Sequence, residues 1–168
     1  MEGVDAVRAR ISAIQGSFSA FRSAAPPATG ASGFAAALAT ADASATAASP
    51  ERTQWATDLL KRLGMPTTSE NVRAMTAWAQ AEGTGASFNP LATTQGAAGA
   101  SNFNSVGVKN YVSYDQGLQA TVQTLTNGRY ENILSALRAG TNADAVGQAV
   151  EDSPWGTGGL VLRVLHGG

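Results

Sequence analysis

Glu82 is the residue of this chain whose type and position best suit acid–base chemistry. It lies seven residues on from Met75 and four from Trp78, continuing a stripe that also holds Val72 and Ala79. That spacing puts its carboxyl group on the apolar face of a helix, which Gly83 and Gly85 then stop. Burial disfavours the charged form of a carboxyl group, and a general acid must keep its proton until a bond breaks. A solvated glutamate at a frayed helix end has the same spacing, so spacing alone leaves both readings open.

Other chemistries have few residues to work with. The chain has no cysteine, so it offers neither a thiol nucleophile, a disulfide frame nor a thiolate metal site. Its one histidine, His166, reads as a surface residue near the C-terminus. A Ser-His-Asp triad or a multi-histidine metal centre is therefore not expected, and no cofactor or metal is called for. With Lys plus Arg at 11, Asp plus Glu at 12 and a net charge of −1, no basic stripe argues for nucleic acid.

Around Glu82 lies a polar, glycine-rich stretch. Residues 84–105 form a loop longer than compact domains usually carry without a function, with Ser87, Asn89, Thr93, Thr94, Asn102 and Asn104 able to meet sugar hydroxyls. The same residue types are ordinary turn formers. Val106, Val108 and Val112 then alternate with Gly107, Lys109, Tyr111 and Ser113, which predicts a short hairpin with Asn110 near its turn. Gly107 would let a ligand approach the backbone, and Tyr111 would offer an apolar ring with a polar tip. Core packing is the competing reading for Tyr111 and Tyr114. Trp155, in the turn Ser153-Pro154-Trp155-Gly156-Thr157-Gly158, either plugs the core or stacks on a sugar.

A helix-ending glutamate, then Asn89-Pro90-Leu91-Ala92-Thr93-Thr94, then Asn102-Phe103-Asn104-Ser105-Val106-Gly107-Val108-Lys109 and Tyr111, resembles the lysozyme-like superfamily. The nearest look is to short lytic transglycosylase- and glucosaminidase-like domains of actinobacteria and their phages, which act on peptidoglycan. The resemblance covers about residues 51–155. It implies that Glu82 is the catalytic acid, that Asn89 and Pro90 shape the sugar cleft, and that Val106, Gly107, Lys109 and Tyr111 line the glycan groove. Thr93, Asn104 and Trp155 join them as candidate substrate contacts. Many transglycosylases have a serine directly after the glutamate; here it is Gly83, so that hydrogen bond must come from elsewhere or be absent.

Two-carboxylate glycosidases need a second acid facing the first at roughly 5–5.5 Å or 6.5–9.5 Å. The remaining acids of the domain fit helix starts or exposed faces, and none declares itself as that partner. The resemblance then implies a transglycosylase route on the bond between N-acetylmuramic acid and N-acetylglucosamine, with one glutamate as acid and base. A lone-glutamate muramidase, and a non-catalytic wall-binding or assembly module of a flagellar or phage tail structure, are the alternatives.

The positioning elements follow from pattern. Residues 1–22 carry Val4, Val7, Ile11, Ile14, Phe18 and Phe21 in heptad steps, an amphipathic helix suited to a protein partner. This opening also resembles that of lysozyme-like proteins encoded with actinobacterial flagellar parts. Residues 23–49 are Ala, Ser, Thr, Gly and Pro with almost no charge, which reads as a flexible linker. Residues 50–168 form the catalytic domain, expected to be mainly α (α+β), a lysozyme-like helical lobe with one small hairpin.

Within it, Ser49 and Pro50 start a helix bearing Trp55, Leu59 and Leu63, with Trp55 in the core. Thr67 and Glu70 have capping-box spacing for the Glu82 helix, and Asp115 is expected to cap the helix after the hairpin. Helices bearing Ile133, Leu134 and Leu137, then Val146 and Val150, come next, while residues 160–165 fit either a helix or a strand. No apolar run approaches the roughly 20 residues of a membrane span. The start lacks the basic flank and apolar stretch of a secretory signal. A wall-acting chain would then leave the cytoplasm by lysis, in a phage particle or through a dedicated export machine.

Overall fold

The computed structural model describes residues 49–167; the heptad helix and most of the linker lie outside them. The described part is mainly helical, with a small antiparallel hairpin. Helix α1 (Pro50–Arg62) begins as the sequence predicts, with Ser49 Oγ accepting from Arg52 N and Pro50 in the first turn. Helix α2 (Ser69–Glu82) ends at Gly83, whose φ of 54° is the left-handed turn that glycine tolerates best. Its cap is Thr68 rather than Thr67: Thr68 Oγ1 accepts from Asn71 N. Glu70 is drawn away from a capping box to Ala143 N at 3.1 Å, tying α2 to the start of a later helix.

Strands β1 (Ser101–Asn102) and β2 (Lys109–Asn110) pair antiparallel, Ser101 opposite Asn110 and Asn102 opposite Lys109. The hairpin therefore starts earlier than alternation suggests. Val106 is 76% exposed near its tip, and Asn110 ends the second strand instead of turning it. Asn104 organises the turn through Val108 N and Gly107 N.

Helix α3 (Tyr114–Leu125) is capped by Ser113, whose Oγ accepts from Gln116 N. Asp115 sits exposed in the first turn and pairs with Arg62 of α1, so it does not cap. Helices α4 (Glu131–Ala139), α5 (Ala143–Glu151) and α6 (Gly158–Leu165) complete the fold, and α6 resolves the ambiguous apolar run as a helix. Helix α2 is the central element, packed against α1, α5 and α6. Its Met75 and Trp78 are fully buried, together with Leu59 and Leu60 of α1 and Leu137 of α4. Trp55 joins that core as expected. No described helix is long and apolar enough to cross a membrane.

Candidate active site

Helix α2 presents Glu82 at its last turn, one helical turn beyond Trp78, and the turn between α5 and α6 closes over it. Three side-chain donors converge on one carboxyl oxygen, Glu82 Oε1. Trp78 Nε1 donates at 3.1 Å, Trp155 Nε1 at 2.9 Å and Thr157 Oγ1 at 2.7 Å. Glu82 Oε2 makes no hydrogen bond among the described residues. The carboxyl group is thus half-buried and directionally held, one oxygen saturated and the other open. Sequence reasoning weighed burial alone; the three donors are what allow a carboxyl group to sit there.

The indoles are themselves braced. Trp78 and Trp155 meet edge to face, centroids 4.9 Å apart at 78°, and Tyr130 lies 5.4 Å from Trp155. Trp155 is neither a simple core plug nor a free platform: half-buried, it holds Glu82 and also lines a cavity of about 230 Å³ with Thr93, Thr94, Thr124, Tyr130 and Pro154. A volume of that size beside an aromatic pair and several threonine side chains suits a small polar group with an apolar face.

The loop after Glu82 is held from inside by two residues that the resemblance would aim at a sugar. Asn89 is fully buried, and its Nδ2 donates to Thr93 O and Lys109 O while its Oδ1 accepts from Thr93 N and Thr93 Oγ1. With every donor and acceptor used, it cannot also bind a ligand; it shapes the loop. Thr93, 2% exposed, commits its hydroxyl to Asn89 and Tyr111. Tyr111, 3% exposed, points inward, its hydroxyl donating to Gln95 O at 2.9 Å. Burial pushes that phenol above its ordinary range, partly opposed by the Thr93 contact. None of the three offers a free polar group, because a long loop must satisfy its backbone internally before it can serve as a wall.

The other candidates separate. Pro90 faces a different concavity, about 660 Å³, formed with Pro50, Trp55, Phe88 and Tyr114. Asn104, Val106 and Gly107 (φ 91°) build the hairpin turn, and half-buried Lys109 donates from Nζ to Asn102 Oδ1 at 2.6 Å. Of the predicted site residues, Trp155 alone hydrogen-bonds to Glu82, while Asn89, Thr93, Lys109 and Tyr111 bond among themselves inside the loop. Sequence reasoning missed Trp78 and Thr157 as partners of Glu82. The four-residue step from Trp78 to Glu82 was a usable signal; Thr157, read only as part of the turn from Ser153 to Gly158, carries none.

The other acids with hydrogen-bond partners use them elsewhere. Asp58 binds Gln54 and Tyr114, Glu70 binds Ala143 and Arg73, Asp144 faces His166, Glu151 accepts from Gly159 N, and Asp152 accepts from Gln148. No cluster of His, Cys, Asp and Glu able to hold a metal occurs among the described residues. Comparison with protein-family models, curated proteins and solved structures finds no match to this chain.

Proposed function

We propose that this domain is a lysozyme-like enzyme that cuts the glycan strand of peptidoglycan, with Glu82 as its single general acid and base. The observation that carries the reading is the split carboxyl group, Oε1 held by Trp78, Trp155 and Thr157 and Oε2 left open. A proton on Oε2 can pass to the glycosidic oxygen as the bond to the muramic C1 breaks. The carboxylate left behind then takes the proton of the muramic 6-hydroxyl, whose oxygen closes on C1 to give a 1,6-anhydro ring. The acid is restored and no water is consumed.

The engagement of the other paired acids away from Glu82 supports this one-glutamate route over a two-carboxylate one. The serine absent at position 83 is matched in chemistry by Thr157, whose hydroxyl reaches the same carboxyl group. Gly83 itself is explained by its left-handed backbone. In this reading the domain works outside the cytoplasm, delivered by a protein partner that docks on the heptad residues Val4 to Phe21, in a flagellar or phage setting.

Removing a general acid costs roughly 10²- to 10⁴-fold. Purified protein should release fragments from labelled peptidoglycan, and Glu82→Gln should lose activity on that scale while keeping its Tm, because the amide oxygen still accepts from the three donors. Mass spectrometry separates the routes, the anhydro product being one water lighter than that of a muramidase. One observation favours a second reading, a wall-binding module without catalysis: three donors on Oε1 also make a brace between α2 and the chain before α6. Unaltered peptidoglycan after incubation with wild type would select that reading, and equal release by Glu82→Gln would remove Glu82 from the chemistry.

A further inference from the structure

We propose that Thr157 is a positioning residue for Glu82, freed from helix capping because Glu151 has taken over the cap of α6. The proposal rests on the reading of Glu82 as the general acid. Thr157 occupies the N-cap of α6, where a threonine hydroxyl ordinarily accepts from a backbone N–H of the first turn. In α1, α2, α3 and α5 the cap residue does this: Ser49, Thr68, Ser113 and Asn142 each accept from the first turn they precede. Thr157 makes no such bond. Its hydroxyl points back across the fold and donates to Glu82 Oε1 at 2.7 Å.

The N–H left without its usual partner is met from another helix. Gly159 N donates to Glu151 Oε2 at 2.8 Å, so the end of α5 caps the start of α6. A carboxylate at that N-terminus also meets the positive end of the helix dipole. The two helices come close enough for this exchange because a Cβ at Gly158 would lie 2.2 Å from Gly147 O and from Glu151 N. Thr157 is thereby set beside Glu82 with a free hydroxyl hydrogen. Together with the two indoles it fills the acceptor sites of Oε1, which leaves Oε2 as the oxygen that carries the exchangeable proton.

The test compares kcat and KM against pH on purified peptidoglycan, with Tm, for wild type and for Thr157→Val, Thr157→Ser and Glu151→Ala. Thr157→Val should lose roughly tenfold or more in kcat/KM, the scale of a hydrogen bond to a charged group. The loss should fall on kcat with KM unchanged, because Thr157 acts through Glu82 and not on the substrate. Thr157→Ser should restore kcat. Thr157→Ala repeats the loss without the bulk of valine, should that variant fold poorly. Glu151→Ala should lower Tm and leave the shape of the profile unchanged. A Thr157→Val or Thr157→Ala profile that superimposes on wild type, beside an inactive Glu82→Gln, overturns the role of Thr157 alone. A fully active Glu82→Gln overturns the acid assignment and this proposal with it.

Discussion

A single hydroxyl can be held by its surroundings as firmly as Glu82 is, and Tyr114 is the instance outside the candidate site. Its hydroxyl donates to Asp58 Oδ2 at 3.0 Å, joining α3 to α1 at the edge of the concavity that holds Pro90. Desolvation, then the hydrogen bond and the charge of Asp58, push the phenol up to about 12. Asp58 moves the other way, held below the usual carboxylate range chiefly by Gln54 and also by Tyr114. Because the folded value for Tyr114 lies above the ordinary value of 10.0, its contribution to stability is complete below pH 10 and is lost as pH rises towards about 12. The Asp58 contribution is present above the ordinary value of 3.8 and fades as pH falls through its lowered one. Ultraviolet titration of the tyrosinate band should therefore show one of the three tyrosines ionising near pH 12, and Asp58→Asn should bring that midpoint down.

At the scale of elements, the loop after Glu82 is held by backbone fit as much as by hydrogen bonds. Phe88 and Ala92 adopt left-handed φ values of 54° and 52°, which L residues pay for with roughly 1–2 kcal/mol each. The Asn89 network between them offsets that strain. The loop also needs a smooth patch on α3, because a Cβ at Gly117 would stand 1.9 Å from Phe88 O. Gly117→Ala should therefore destabilise the fold by about 1–3 kcal/mol, although alanine is the better helix former. Denaturant midpoints would show the loss, and amide exchange at Asn89 and Thr93 should rise with it. A stabilised variant would mean that the loop does not rest on α3.

For the whole molecule the decisive element is α2, because it is both the middle of the core and the mount for Glu82. Met75 and Trp78 are fully buried, and they lie two turns and one turn, respectively, before that carboxyl group. No disulfide can hold part of the fold when the rest opens, since the chain lacks cysteine. Met75→Ala should cost about 2–5 kcal/mol. Intrinsic fluorescence, which reads Trp55 of α1, Trp78 of α2 and Trp155 before α6, should still fall in one transition coincident with near-ultraviolet circular dichroism. Two separated transitions would show that α2 does not couple these parts.

The sequence by itself determined the helices and the place of the acid. Apolar steps of three and four mark α1 to α5, with glycine stops for the first four, and the stripe through Met75 and Trp78 leads directly to Glu82, because helical periodicity is a local property. Cap residues slipped by one or two positions, at Thr68 and Ser113, where neighbouring polar residues compete for the same backbone donors. Only the tertiary structure decided what surrounds Glu82 and which loop residues turn inward. Thr157 reaches Glu82 from 75 residues away, and Asn89, Thr93 and Tyr111 spend their polar groups on one another. Sequence spacing carries no record of such pairings, since a hydrogen bond between distant segments exists only once packing has brought them within reach.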